Sequence, residues 1–301
     1  MPVTVHSDKA HELVDASADV EQIASGFSFT EGPIWMPDGS LHFSDMPADK
    51  RRRWHPAEGV TVLRDPSNKC NGMTLDNDGN LIVCEHVTSS VVRERPDGAR
   101  ETLASHYGGN ELNSPNDVIV ARDGSILFTD PTYGRMPVFG LEREQDLSFQ
   151  GVYRIPPEGG DLQLLADDFA QPNGLCLSSD ESLLYVNDTD RAHIRAFDVG
   201  PGHSLSNGRV VAEGIGTGDM ESGELVDGMK LDERGNIYVT GPKGVWIISA
   251  EGEHLGVIEV PENVGNVNWG GDDWRTLYIP ASTSVYRIQM KVGGNRLGYM
   301  H

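Results

Sequence analysis

Six residues able to offer a side-chain oxygen stand at the same place in six copies of one pattern. The copies are "EGPIWMPDGSLHFSD" from Glu31, "NGMTLDNDGNLIVCE" from Asn71, "NDVIVARDGSILFTD" from Asn116, "NGLCLSSDESLLYVN" from Asn173, "DGMKLDERGNIYVTG" from Asp227 and "NVNWGGDDWRTLYIP" from Asn266. Singly, an Asn or Asp before a strand makes a turn or caps the strand. Six in register, with no Ser, Gly or Pro among them, point instead to a shared site. Two carboxylates and four amides form a hard, oxygen-only donor set, suited to Ca²⁺, Mg²⁺ or Mn²⁺ rather than to a thiolate-seeking metal. With few protein ligands, such a site leaves room for water and substrate. There a cation polarises a carbonyl and makes water more acidic, which is the chemistry of ester and lactone hydrolysis. The chain has neither the G-x-S-x-G elbow of serine hydrolases nor the H-E-x-x-H pair of zinc peptidases.

The elements that must position these residues are strands. Each copy is a polar residue, a short apolar run, a turn and a second apolar run. The copies start 40, 45, 57, 54 and 39 residues apart, the period of a β-propeller blade. Further pairs of apolar runs split by Asp-Gly, Gly-Gly or Glu-Gly turns, such as "SSVVRERPDGARETLAS", "GVYRIPPEGGDLQLLAD" and "GVWIISAEGEHLGVIEV", bring each unit to four strands. The last unit runs out after "TSVYRIQMKVGG", and "VEQIASG" before Glu31 belongs to no earlier unit. The expectation is an all-β, six-bladed propeller whose last blade is closed by an N-terminal strand. It is read as one domain over residues 1–301, with residues 1–17 as an N-terminal extension. In a propeller the first strand of each blade lines the axis, so the six residues form a ring at one mouth. Fourteen residues on, the second strand returns to that face and brings Asp45, Glu85, Asp130 and Asn187 near it.

Other segments carry weaker signals. Residues 131–151, "PTYGRMPVFGLEREQDLSFQG", interrupt the third blade on the side of the ring and read as a lid shaping specificity, with Tyr133 toward the substrate. His86 ends a second strand, and is placed for a substrate contact or a proton shuttle. Met46, Met136 and Trp35 are candidates for an apolar lining. The basic run Arg51–Arg53 reads as a solvated turn. The formal net charge of −22 repels nucleic acid and anionic membrane surfaces. No apolar run is long enough to span a membrane, and the first twenty residues have no signal-peptide pattern. Cys70, Cys84 and Cys176 form no CxxC pair and read as reduced, buried thiols, so the cytoplasm is the expected location.

Taken as a set, "TEGPIW", "SPNDVIV", "DGSILFTDPTYG", "FQGVYRI", "QPNGLCLSSDESLLYV" and "DGMKLDERGNIYVT" resemble the SMP-30/gluconolactonase/LRE family, bacterial gluconolactonases above all, from about residue 20 onward. The resemblance implies a six-bladed propeller with one divalent cation at the channel mouth, calcium first, with magnesium, manganese or zinc as alternatives. It implies Glu31, Asn173 and Asp227 as metal ligands, with Asn116, a ligand in some members, beside metal and substrate. Asn71 and Asn266 become pocket lining; from their own places in the repeat and the lid, Glu85, His86, Asp130 and Tyr133 are expected to join them as substrate contacts. The implied activity is a lactonase opening a sugar lactone to its hydroxy acid, with Asp227 as the base and Glu31 as the second catalytic carboxylate, or with a metal-bound hydroxide as the nucleophile in place of either. A phosphotriesterase or organofluorophosphatase at the same metal, or a non-catalytic calcium-binding propeller, are the alternatives. The expected partner is a small-molecule lactone, with the chain a monomer or homodimer. One departure stands out: animal members carry an Arg two residues before the "ND" Asn to hold the sugar, and this chain has Ser114.

Overall fold

A computed structural model describes residues 2–219, 222–296 and 298–300. It is a six-bladed β-propeller. The innermost strands are Thr30–Trp35, Cys70–Leu75, Val118–Val120, Pro172–Leu177, Met229–Leu231 and Asn268–Gly270. Each touches the next, and the last touches the first. Every blade is an antiparallel sheet, four of them in plain sequence order and the last two joined at their outer edge by an N-terminal strand. Because a blade is covered on both faces by its neighbours, its inner strands are buried throughout rather than on alternate residues. Cys70–Leu75, Leu81–Glu85 and Pro172–Leu177 are wholly buried, whereas the outer strand Gly59–Arg64 is mostly exposed. This is why the second strand of each repeat reads as an unbroken apolar run.

The ring closes as the repeat count requires. Glu21–Ser25 pairs with Ser284–Gln289 as the outer strand of the last blade. The residues set apart as an extension are also folded onto the ring. Val3–Val5 adds a fifth strand to the fifth blade, and Ala10, Leu13 and Val14 are buried beside it. The arginine run is a strand and not a turn: Lys50–His55 is the third strand of the first blade. Its arginines pair with Asp45 on the neighbouring strand, with Glu58 in the following turn and with Glu94 of the second blade, so opposite charges hold it in the sheet and against the next blade. Among the described residues no helix is long and apolar enough to cross a membrane.

The residue after a ring residue decides how closely the inner strands approach. A Cβ at Gly32 would stand 1.9 Å from the Asn71 carbonyl oxygen; at Gly72, 2.5 Å from that of Asn116; at Gly174, 2.5 Å from that of Asp227. The "EG" and "NG" dipeptides of the repeat are thus packing signals as well as site signals. The same carbonyls, and that of Asn173, are held by the preceding blade. Ser44 Oγ donates to Asn71 O (2.8 Å), Gly72 N to Asn116 O (2.8 Å), Thr129 Oγ1 to Asn173 O (2.7 Å), and Asn187 Nδ2 to Asp227 O.

Gly32→Ala is therefore expected to cost at least about 3 kcal/mol or to prevent folding, since both its φ of +49° and its neighbour oppose a side chain. Gly39→Ala, at φ +79° with open space around it, is expected to cost only about 1–2 kcal/mol. Urea denaturation of the two variants checks the difference.

Candidate active site

The ring surrounds one mouth of the channel, and a cavity of about 210 Å³ opens there. With about 30 Å³ per liquid water, it holds roughly seven waters or one molecule of monosaccharide size. Its polar wall is Glu31, Asn71, Asn116, Asn173, Asp227, His86 and Tyr133; its apolar wall includes Phe29, Met46, Phe139, Leu225 and Val264. A few convergent polar groups set among apolar side chains are the usual make-up of a small-molecule site.

Glu31 is buried, and its Oε2 accepts from Gly32 N (2.7 Å) and Asn266 Nδ2 (2.9 Å). Asn266 thus braces Glu31 from behind and does not line the cavity. Burial raises the Glu31 pKa above the usual carboxylate range, while those two donors pull it down. Burial also raises that of Asp227, helped by the charge of Glu31 and opposed by a hydrogen bond from Asn173. Asn173 is oriented by its neighbour. Thr189 Oγ1 donates to Val226 O (2.8 Å), so it accepts from Asn173 Nδ2 (3.2 Å), and Asn173 Oδ1 points elsewhere.

Sequence reasoning missed two charges deeper in the channel. Lys230 Nζ lies 3.3 Å from Asp117 Oδ2, both groups nearly buried, and both act electrostatically on Glu31. Each stands in a motif noticed for its neighbour, "PND" and "DGMK". The axial group is then three carboxylates, Glu31, Asp117 and Asp227, against one ammonium. Fully ionised, that leaves two buried negative charges without a counter-ion, a costly arrangement unless a cation compensates them. Among the described residues no three His, Cys, Asp or Glu side chains form a metal-binding group. The donors that converge are two acids and amide oxygens, and this hard set fits a divalent cation of the calcium or magnesium kind.

Glu85 and Asp130 do not line the cavity. Glu85 is held by Arg100, Asn68 Nδ2 (2.8 Å) and Thr88 Oγ1 (2.9 Å). Asp130 accepts from Asn113 N (2.8 Å) and Ser114 N (2.7 Å) and, being fully buried, has its pKa raised to about 7. Asp45 likewise clamps Ser28 N and Arg52 within its own blade. A carboxylate at this place in the repeat ties down the chain entering the blade. Trp35 stacks on Tyr278 and Met136 faces solvent, so of the three apolar candidates only Met46 reaches the cavity.

Residues 131–151 roof the cavity. Gly134 N donates to Ser114 Oγ (2.9 Å), Arg135 Nε to Asn113 O (2.9 Å) and Lys69 Nζ to Val138 O (2.7 Å), while Phe139 packs edge-on against Phe29. Ser114 therefore anchors the roof. Leu225, Asn263, Val264 and Ser282 also line the cavity, from connections that no repeat motif marks.

His86 lies beneath the roof, fully buried. Its Nδ1 is 2.9 Å from Phe139 O and its Nε2 is 3.2 Å from Asn71 Nδ2. Burial lowers its pKa to about 4, against the pull of the Phe139 carbonyl. The unfolded chain, titrating near the ordinary 6.5, takes the proton first. The stability contributed by His86 is complete above pH 6.5 and is lost as pH falls toward 4, on the order of 3 kcal/mol in all. Imidazole ¹⁵N shifts should show a neutral, Nδ1-protonated ring from pH 8 to 5. His86→Leu should flatten the stability profile between pH 6.5 and 4.

The model of the SMP-30/Gluconolactonase/LRE-like region matches residues 29–283. A gluconolactonase of Zymomonas mobilis subsp. mobilis is 32% identical, over 97% of this chain and 87% of its own. The structure of a gluconolactonase from Xanthomonas campestris superposes with a TM-score of 0.89 at 31% identity, covering 96% of this chain and 95% of that one. A calcium-binding regucalcin from Agrobacterium tumefaciens, at 18% identity, TM-score 0.72 and coverage of 93% and 98%, shares the fold.

Proposed function

The chain belongs to the SMP-30/gluconolactonase/LRE family, and from that premise we propose that it is a divalent-cation-dependent lactonase acting on a sugar lactone of the aldono type. The observation that carries the reading is the meeting of Glu31 and Asp227, with amide oxygens beside them, in the wall of one cavity of monosaccharide size. The names of its relatives support the substrate class. Glu31, Asn116, Asn173 and Asp227 would hold the cation, calcium first by the hardness of the donors. When bound, it supplies positive charge to polarise the carbonyl oxygen of the lactone.

The remaining work falls to the chain. Phe29, Met46, Phe139, Leu225 and Val264 cover the apolar edge of the ring and limit bulk water around the reacting carbon. Glu31, one oxygen fixed by Gly32 and Asn266, is restrained as a charge. Asp227 accepts the proton of the attacking water. As the bond from carbonyl carbon to ring oxygen breaks, it returns that proton to the leaving oxygen, and the product is the open hydroxy acid. Tyr133, whose phenol burial keeps protonated, is a donor in the same wall. Three buried, unpaired cysteines suit a reducing compartment such as the cytoplasm.

The test is acid release from D-glucono-δ-lactone, corrected for spontaneous opening, by enzyme stripped with chelator and restored with Ca²⁺, Mg²⁺, Mn²⁺ or Zn²⁺. Activity should vanish on stripping and return with at least one cation. Asp227→Ala and Glu31→Gln should each lower kcat/KM by at least about 100-fold. If no cation raises the rate above the buffer rate on any of a panel of sugar and aliphatic lactones, the proposal fails, and phosphotriesters become the next substrates to try.

A further inference from the structure

Asn263 and Gly223 line the cavity and take no part in the lactone chemistry. The roof comes over the mouth from the third blade and reaches the second at His86. Across the axis, in a ring of six, lies the connection from the fifth blade to the sixth, and it carries Asn263. The backbone there is pinned to the sixth blade. Ser282 Oγ donates to Asn263 O (3.2 Å), Val264 bridges Ala281, and Glu262 Oε1 accepts from Tyr286 Oη (2.7 Å). The Asn263 side chain, by contrast, is exposed and has no hydrogen bond among the described residues.

The amide has a seat built for it. A Cβ at Gly223 would stand 2.0 Å from Asn263 Nδ2, so the amide fills the place that any larger residue would take, and the φ of +66° there suits glycine. Gly223 is itself fixed by the fold of its connection. Thr217 N donates to Glu224 O (3.2 Å), and Gly216 and Gly218 pass too close to Glu224 O and Asp190 O to carry a side chain. Deeper polar groups of the wall are already engaged: Glu31 with Gly32 and Asn266, Asn71 with His86, Asn173 with Thr189. An exposed amide, held in place with donor and acceptor both unused, matches a hydroxyl group, which likewise gives and takes a hydrogen bond.

We propose that Asn263 is a specificity-determining residue whose amide hydrogen-bonds a hydroxyl group of the substrate at the rim, and that Gly223 is the positioning residue that leaves the amide its place. This rests on the lactone reading and adds its specificity: a hydroxylated ring is selected over a bare one. The ring residues serve the cation and the reacting carbonyl. Asn263 stands three residues before the ring residue Asn266, outside the repeat, and recognises a part of the substrate that does not react.

The experiment uses binding rather than turnover, so that it reads out even if no lactone is hydrolysed. Affinities of the full chain for D-gluconolactam and for piperidin-2-one, non-hydrolysable analogues with and without hydroxyls, are measured by calorimetry in the presence of Ca²⁺. Wild type should favour the gluconolactam by at least about tenfold, and Asn263→Ala should lower that ratio about fivefold. Gly223→Ala, whose methyl group takes the place of the amide, should lower it about as far. The double variant separates positioning from mere damage to the connection. If Gly223 acts through Asn263, the double variant matches Asn263→Ala alone to within about twofold, whereas independent effects would multiply to about 25-fold. Melting curves establish that each variant is folded, and Asn263→Ala, at an exposed site, keeps the test open should Gly223→Ala not fold. A wild type with no preference, or a ratio unchanged in Asn263→Ala, overturns the proposal. So does a loss of Ca²⁺ affinity in Asn263→Ala large enough to account for the change, because Asn263 would then act through the cation. A multiplied loss in the double variant overturns the role given to Gly223. A preference that falls in Asn263→Ala, in a protein that hydrolyses no lactone, would sink the lactonase reading and leave this inference standing. Lactone hydrolysis with the ratio unmoved would do the reverse.

Discussion

The inner strands of six blades meet around one narrow axis, and the separation of their backbones governs what the site can be. Where Gly32, Gly72 and Gly174 face the carbonyl oxygens of the following blade, there is no space for a Cβ. Those oxygens are at the same time hydrogen-bonded to the preceding blade, by the side chains of Ser44 and Asn187 and by the backbone of Gly72, and the Asn173 carbonyl is held likewise by Thr129. The backbone carbonyls of Asn71, Asn116, Asn173 and Asp227 are thus taken up in joining blade to blade. Their side chains are left over, and the one place open to them is the mouth. A close-packed axis and a convergent set of oxygens are therefore two results of the same contact.

The channel is not symmetric along its length. At the far end Asn295 Nδ2 donates to Leu177 O (3.1 Å) and its backbone N to Leu231 O (2.9 Å), so the C-terminal segment lies across that opening. Lys230 and Asp117 come next, then the carboxylates of Glu31 and Asp227, then the cavity and its roof. Charge is concentrated where water is scarce. There electrostatic interactions are strong, and an uncompensated carboxylate is costly. That one condition both raises the pKa values of Glu31 and Asp227 and makes the site attractive to a divalent cation.

How much of this was legible in the sequence depended on whether a residue repeats. Strand positions, blade count and closure by "VEQIASG" follow from a period, and the period is visible because each blade meets the same packing demand. Glu85 and Asp130 were misleading for the same reason. They recur at one place in the repeat, but the shared task there is to bind the chain entering the blade. Arg51–Arg53 read as a solvated turn because their partners are brought beside them only by strand pairing (Asp45), by the hairpin (Glu58) and by the packing of the second blade against the first (Glu94). Phe29, Phe139, Leu225 and Val264 come from connections without a period, so nothing in their spacing marks them as one wall.

By itself the sequence determined the six-bladed β-propeller, the ring from Glu31 to Asn266 and the hard-oxygen character of the mouth. All of these follow from residue type at a fixed place in a repeat, and local chemistry settles them. Tertiary structure alone decided that Asn266 braces Glu31, that Ser114 anchors the roof, that Lys230 meets Asp117 across 113 residues, and that the Asn71 amide faces the way it does. Those are matters of which donor finds which acceptor. The choice depends on partners far apart in the chain, and they come within hydrogen-bonding range only once the ring has closed.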